Sequence, residues 1–383
     1  MKDLLDIRNE IDLVDDEIIK LFVKRMGLSK EVAEVKKNSN VLVTDTSRED
    51  KIIYRLTSTL PDELKLYAKE VYSAIFSVSK AYQNTLVDKT SKTVEKIKEV
   101  INKDYEFPIT ATVACQGVEG ANSESAAKKA FPICDISYFK TFESVFNAVD
   151  KGLCEFGVLP IENSTAGSVL EVYDLMDKYN FYVVKSVKLK INHCLAGVVG
   201  ATKKDIKKVI SHSQAIMQCS NYLKNNNFES ELAQNTALAG KIVQEGNDKS
   251  VAALCSKECA CLYGLKILEE NVQDNLSNYT RFIVISKDLK IYNGSNKISV
   301  MTSAPHESGS LSKILQKFYS LGLSLTKIES RPIMGSDFEF LFYFDFEGDV
   351  KDKGVLNLLS ELENSSMKFA FLGSFKEVVW NIV

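Results

Sequence analysis

Counting in sevens from Leu4 meets Leu4, Ile11, Ile18, Arg25 and Val32, and counting in sevens from Ile7 meets Ile7, Val14, Leu21, Leu28 and Val35. Two adjacent apolar registers sustained this long specify a long helix whose stripe packs against partner helices. Arg25 alone violates the pattern. A guanidinium on a packing seam is costly unless it meets an anion or a set of acceptors. Arg8 lies at the edge of the same stripe, and Lys36 ends it. The helix is expected to stop near Asn38-Ser39-Asn40. A second is expected after Asp45-Thr46-Ser47, where Ser47 can cap and Glu49-Asp50 suit the first turn. A third is expected from about Pro61, burying Leu64, Tyr67, Val71, Ala74, Ile75 and Val78. On it Ser79 and Gln83 stand four apart and share a face. From the residues alone two readings stand level. One is a helical dimerisation segment in which Arg25 pairs with an acid. The other is a bundle-core pocket for a small dianion, lined by Arg8, Arg25, Lys36, Asp45, Arg48, Glu49, Ser79 and Gln83.

At 383 residues the chain is too long for one core, and length suggests two or three domains. A formal net charge of −3 argues against nucleic acid or an anionic membrane as the main partner. No run approaches the roughly 20 apolar residues of a membrane span. The chain opens on Lys2-Asp3 and helical periodicity rather than a signal peptide, so a cytoplasmic location is expected. All eight cysteines fall between Cys115 and Cys261 without a CxxC pair, which reads as reduced, buried thiols. With three histidines far apart in sequence, no metal site is expected.

After a charged stretch at 89–106, expected to be linking or helical, short apolar runs alternate with helices, an α/β pattern. Thr110 to Ala114 reads as a strand leading to Gly117-Val118-Glu119-Gly120 and a helix opening at Ser123, an arrangement that aims free backbone N–H groups at one point. The unit recurs at Phe156–Leu159 with the polar loop Pro160–Ser168, at Val209-Ile210 with Ser211-His212-Ser213-Gln214, and at Val251–Leu254 with Ser256. In one sheet such loops collect at its carboxyl edge, where ligands bind; the long middle leaves room for a second lobe and a cleft. Asn278-Tyr279-Thr280-Arg281-Phe282 then puts a hydroxyl and a guanidinium at the mouth of a β-branched run. The tail repeats β-α-β-β-α-β, the ferredoxin-like order, with few groups for acid–base chemistry.

These motifs carry three resemblances. The set Arg8, Arg25, Lys36, Asp45, Arg48, Glu49, Ser79 and Gln83 resembles the all-helical chorismate mutase family. The resemblance implies that Lys36 and Gln83 bond the breaking ether oxygen and that Glu49 takes the substrate hydroxyl. Arg8, Arg25 and Arg48 would be the carboxylate and bundle cations, with Arg8 arriving from the other subunit of an interlocked dimer. The segments Pro160–Ser168, Ser211–Gln218, Asn235–Ala239 and Thr280-Arg281-Phe282 look like prephenate dehydratase. That likeness implies Thr280 as the acid assisting hydroxide departure, Arg281 and Ser211 near substrate carboxylates, and Glu162, Asn163 and Gln218 shaping the pocket. Asn122 stands where that family usually has an aromatic. Glu329-Ser330-Arg331-Pro332, with Gly309-Ser310-Leu311, resembles the ACT domain attached to such dehydratases, which binds phenylalanine between paired domains. Here Ser308 and Ser310 depart from its usual Pro-Gly-Ala-Leu.

The expectation is therefore a multidomain chain: an all-α chorismate mutase domain at 1–88, a linker at 89–106, a two-lobed α/β prephenate dehydratase domain at 107–287, and an α+β ferredoxin-like ACT domain at 296–383. Chorismate and prephenate would be its substrates, phenylalanine its effector and a second copy its partner, with no cofactor. Two alternatives keep less of this: a non-catalytic ligand sensor, and a dehydratase whose helical domain is inactive.

Overall fold

The computed structural model describes residues 3–39, 46–86, 91–307, 309–333 and 339–380. By internal contacts the chain divides into two compact units, Met1–Lys92 with Asn357–Ser365, and Thr93–Leu356 with Ser366–Val383. In the first, α1 (Leu4–Ser39) and α2 (Thr46–Thr57) both pack on α3 (Asp62–Leu86). The expected apolar seam is not buried within the chain: Leu4, Ile11, Ile18, Leu21, Leu28 and Val35 are all exposed. So are Leu64, Tyr67, Val71 and Val78 on α3, the face expected to be buried. What α3 buries is Phe76 with Ser79 and Gln83.

The second unit begins with α4 (Lys92–Ile101), a short helix burying Val94 and Ile97. The first lobe follows: β1 (Thr110–Gln116), α5 (Asn122–Ala130), β2 (Ile133–Phe139), α6 (Phe142–Asp150), β3 (Phe156–Asn163), β4 (Gly167–Ser168), α7 (Leu170–Tyr179) and β5 (Tyr182–Lys190). A second lobe holds β6 (Cys194–Gly197), β7 (Lys208–Ser211), α8 (Ser213–Gln218), α9 (Ser220–Asn225), β8 (Glu229–Leu232), α10 (Thr236–Gly246), β9 (Val251–Cys255), α11 (Lys257–Leu262) and β10 (Lys266–Glu269). The chain returns to the first lobe as β11 (Tyr279–Ser286), which lies antiparallel between β5 and β3. The recurring strand–loop–helix units thus fall in two sheets, not one: β7 and β9 belong to a separate five-stranded sheet ordered β10-β6-β9-β7-β8.

The tail forms β12 (Lys297–Ala304), α12 (Ser310–Ser320), β13 (Leu325–Pro332), β14 (Phe340–Glu347), α13 (Lys353–Ser365) and β15 (Phe369–Trp380), the ferredoxin-like order. Its last strand runs further than its hydrophobic pattern indicates. Residues Phe369–Phe375 pair antiparallel with β12, and Lys376–Trp380 continue parallel to β5, so both sheets merge into one of ten strands. The crossing point is Gly373, at φ +138°, where an added Cβ would lie 2.2 Å from the Val183 carbonyl oxygen. Only glycine fits a backbone approach this close. One apolar core spans the junction, with Val145, Phe146 and Ile283 of the first lobe clustered with Met301, Tyr343 and Phe375 of the tail.

Candidate active site

A cavity of about 590 Å³ opens between the two lobes of the larger unit. The β1–α5 turn supplies Gln116, Gly117, Asn122 and Ser123; the β3–β4 loop supplies Asn163, Ala166 and Ser168. His193 follows β5, His212 and Gln218 bracket α8, Asn235 and Thr236 open α10, and Thr280 and Phe282 come from β11. Gly117 turns at φ +111°. The cap residue of α5 is Ala121, which has no side-chain oxygen, so the first turn of that helix meets the cavity without a capping bond. Helix starts favour anions. That matters here, because no lysine, arginine, aspartate or glutamate is among the described lining residues.

The polar groups of the cavity form a hydrogen-bond chain whose direction is set by the backbone. Asn163 Oδ1 accepts from the backbone N–H of Thr165 and of Ala166, each at 2.9 Å. Its amide orientation is thereby fixed, and Nδ2 must face the acceptors Asn278 Oδ1 (2.9 Å), the Tyr279 carbonyl (3.2 Å) and Thr280 Oγ1 (2.9 Å). Asn278 in turn donates from Nδ2 to Gln218 Oε1 at 3.0 Å. His193 Nε2 stands 3.0 Å from the same oxygen and so carries the proton. Burial pushes the His193 pKa down and the bond to Gln218 opposes this only in part, so the imidazole is held neutral. Since Thr280 Oγ1 accepts from Asn163, its own proton is left to donate. His212 caps α8, its Nδ1 accepting from the Gln214 N–H at 3.3 Å.

Three expected pocket residues lie elsewhere. Arg281 follows Thr280 on a strand and therefore faces the opposite side of the sheet. It is 8% exposed in its side chain and pairs with Glu162 at 2.8 Å and Asp345 at 2.6 Å. Burial alone would lower its pKa, but Asp345 and Glu162 outweigh that and raise it, keeping it charged. Glu162 belongs to the same pairing rather than to the cavity: burial acts to raise its pKa, while Arg281 and Lys327 hold it below the usual carboxylate range. Ser211 is fully buried, its hydroxyl donating to the Leu254 carbonyl at 2.7 Å. Asn163, Gln218 and Thr280 do meet at the cavity. His193 and Asn278 were not singled out from sequence: a lone histidine after a strand carries no signal, whereas Asn278, two residues before Thr280, was open to inspection.

In the helical unit Arg25 Nη1 donates to Ser79 Oγ, and the guanidinium lies 5.4 Å from the Phe76 ring centroid. Ser79 also donates to the Ile75 carbonyl at 2.8 Å. Burial lowers the Arg25 pKa, with Tyr72 opposing. Gln83 is buried, and its Oε1 has no partner among the described residues. Glu49 pairs with Lys80 at 3.0 Å, and Arg48 lies exposed. Arg8 is exposed, and at 1.5 Å per residue it stands about 25 Å from Arg25 along α1. The Lys36 side chain, Asp45 and Ser308 lie outside the described residues.

In the tail Gly309 turns at φ +81° and starts α12 through Ser310 and Leu311. On β13, Glu329 and Arg331 share a face with Lys327, and Ser330 points away; Pro332 ends the strand. Arg331 grips Asp174 of α7 through Nε (3.0 Å) and Nη2 (2.6 Å), and Glu329 accepts from Ser168 Oγ. Of the cysteines, all present as free thiols, Cys261 is exposed and Cys134 half-buried, against the expectation that all are buried.

A cavity lined by amides and hydroxyls between two α/β lobes, joined to a ferredoxin-like sheet and accompanied by a helical unit, defines a multidomain enzyme of small anionic metabolites. No described helix is long and apolar enough to cross a membrane. Residues 7–84 match the chorismate mutase type II family and residues 113–290 the prephenate dehydratase family. The bifunctional chorismate mutase/prephenate dehydratase of Aquifex aeolicus is 31% identical, covering 99% of both chains. Arogenate dehydratase/prephenate dehydratase 1 of Arabidopsis thaliana is 38% identical over 69% of this chain and 71% of its own. The structure of prephenate dehydratase from Arthrobacter aurescens in complex with L-Phe matches with a TM-score of 0.64 at 27% identity, covering 69% of this chain and 89% of that one. The chain belongs to the bifunctional chorismate mutase/prephenate dehydratase family, enzymes of aromatic amino acid biosynthesis.

Proposed function

We propose that the chain rearranges chorismate to prephenate at the helical unit, converts prephenate to phenylpyruvate in the cavity, and is inhibited by phenylalanine at its tail. The observation that carries the second step is the fixed direction of the Asn163–Thr280 bond, which leaves the Thr280 hydroxyl as a donor into the cavity. Prephenate needs little more: its carboxylate leaves as carbon dioxide, the electron pair moves into the ring, and the ring hydroxyl departs as the product becomes aromatic. Thr280 donates a hydrogen bond to that departing oxygen, the moment at which a prepositioned donor acts most strongly. The two carboxylates meet helix starts and amides rather than arginine. Because no carboxylate is among the described lining residues to receive an ammonium, the 2-oxo acid prephenate fits better than its amino analogue arogenate.

At the helical unit, Arg25, Ser79 and Gln83 form part of a dianion site, and a unimolecular rearrangement needs only a compressed conformer and stabilised negative charge. Arg8 is too distant to serve the Arg25 of its own chain. A second copy packed on the exposed α1 seam supplies it and buries that seam. For regulation, the phenylalanine seen with the Arthrobacter protein and the bonds from Glu329 and Arg331 to the dehydratase part support an effector acting through β13. Such an effector must bind one conformational state more tightly than the other. A cytoplasmic location fits the free thiols. The test is to supply chorismate alone and follow prephenate and phenylpyruvate with and without phenylalanine. Phenylpyruvate suppressed by phenylalanine supports all three assignments; prephenate that accumulates refutes the dehydratase, and no turnover refutes both.

A further inference from the structure

Five charged side chains of alternating sign run from the C-terminal sheet to the cavity loop. Arg281 joins Asp345 of β14 at 2.6 Å to Glu162 of β3 at 2.8 Å. Lys327 of β13 then stands 2.8 Å from the second oxygen of Glu162 and 3.3 Å from Glu329. The series ends on Ser168 Oγ, which accepts from Lys327 Nζ at 2.7 Å and donates to Glu329. Ser168 lines the cavity, and Lys327 does not.

An ammonium has three N–H donors. Here all three have acceptors: Glu162, Glu329 and Ser168. Glu162 immediately precedes Asn163, whose amide holds Thr280, and Ser168 closes the same loop by pairing with Glu162 across β3 and β4. One side chain of the C-terminal sheet therefore fixes both ends of the loop that carries the cavity's polar groups. We infer that Lys327 is a positioning residue of the dehydratase reaction, acting through Ser168 and Glu162, so that the C-terminal domain completes the catalytic site even without effector. This rests on the dehydratase reading above. Without the ammonium, Glu162 and Glu329 lose the cation that lies between them, and the repulsion of the two carboxylates moves the loop.

The test compares Lys327→Met, Lys327→Arg, Ser168→Ala and the Lys327→Met/Ser168→Ala double variant in the full chain, without phenylalanine, assaying both activities. Misplacing a reactive group by about 1 Å can cost on the order of 100-fold. A fall in dehydratase kcat of about 10- to 100-fold is therefore expected for Lys327→Met, with KM changed much less. Chorismate mutase activity of the same molecule should hold, and Lys327→Arg should recover part of the loss. Ser168→Ala should add little to Lys327→Met, because groups acting through one contact are not additive. Unchanged dehydratase kcat in Lys327→Met overturns the inference, as does full additivity in the double variant. If Lys327→Met loses both activities together, Ser168→Ala decides: a selective dehydratase loss supports positioning and no loss refutes it. A wild-type chain with mutase activity but no prephenate turnover would sink the dehydratase reading and this inference with it.

Discussion

In the helical unit Arg25 reaches one hydroxyl, Gln83 Oε1 has no partner among the described residues, and the apolar seam of α1 is exposed. In the larger unit Asn163 makes five contacts through one amide group, and every charge from Asp345 to Glu329 meets its opposite. Among the described residues the first set of groups stays open to further contacts, and the second is closed by contacts within the chain. The difference follows from architecture. Three helices have too little mutual surface to bury a long stripe, whereas two lobes enclose a cavity between them.

Breaking the closed site should have the largest effect. Arg281→Met leaves Asp345 as a buried charge without its cation and Glu162 with Lys327 alone, and should destabilise the larger unit by about 3–5 kcal/mol in chemical denaturation. A loss below about 1 kcal/mol would mean that the pairing is solvated and the site not closed. Thr280→Val keeps the shape but removes the donor, so dehydratase kcat should fall about 100- to 1000-fold with mutase activity intact. Loss of both activities would contradict the separation of the two sites.

The open site is sharpened by mixing. Arg8→Ala and Arg25→Ala chains should each be inactive as mutases. Unfolded and refolded together, they should regain about a quarter of wild-type activity, because half the dimers are mixed and each holds one intact site. The corresponding mixture of Thr280→Val and Asn163→Ala should regain no dehydratase beyond its parents; recovery there would erase the contrast. A smaller effect is expected at the sheet junction. Gly373→Ala forces the backbone off Val183, and should cost about 1–3 kcal/mol in thermal or urea unfolding of the larger unit.

The smallest effect is that of His193. Its folded pKa lies below the unfolded value of about 6.5, so its neutral form contributes stability that is fully present above that pH. That contribution is lost as the pH falls through the folded value. The urea midpoint should therefore drop between pH 7.5 and 5.5, and His193→Gln should flatten the slope. An equal slope in the variant would place the acid sensitivity in other groups.

Much of this could be read without coordinates. The heptads of α1 marked a long helix, and Arg25 and Ser79 were recognisable as polar exceptions on apolar faces. The alternation of β14 and the order of the tail elements marked the ferredoxin-like domain. Even the error over Arg281 was avoidable, since consecutive strand residues face opposite ways and Thr280 could not share its cavity. Other features left no local trace. Lys327 and Asp345 look like ordinary strand charges until the sheets merge. The hydrophobic pattern marks a last strand over Lys368–Phe375, with nothing to show that it continues to Trp380 beside β5. His193 is informative only because Gln218 and Asn278 fold beside it.

Periodicity and residue chemistry thus determined which segments are helices and strands, which families they resemble, and that hydroxyl, amide and guanidinium groups were available. Those properties are local: they depend on neighbours a few positions away. The tertiary structure decided which groups face one another. It turned Arg281 from a substrate ligand into a buried pairing partner, gave Thr280 a free proton by anchoring Asn163 to backbone N–H groups, and brought β13 against the cavity loop. Each of these depends on contacts between residues more than a hundred positions apart, such as Asn163 with Thr280 and Ser168 with Glu329. Only the packed chain brings those together.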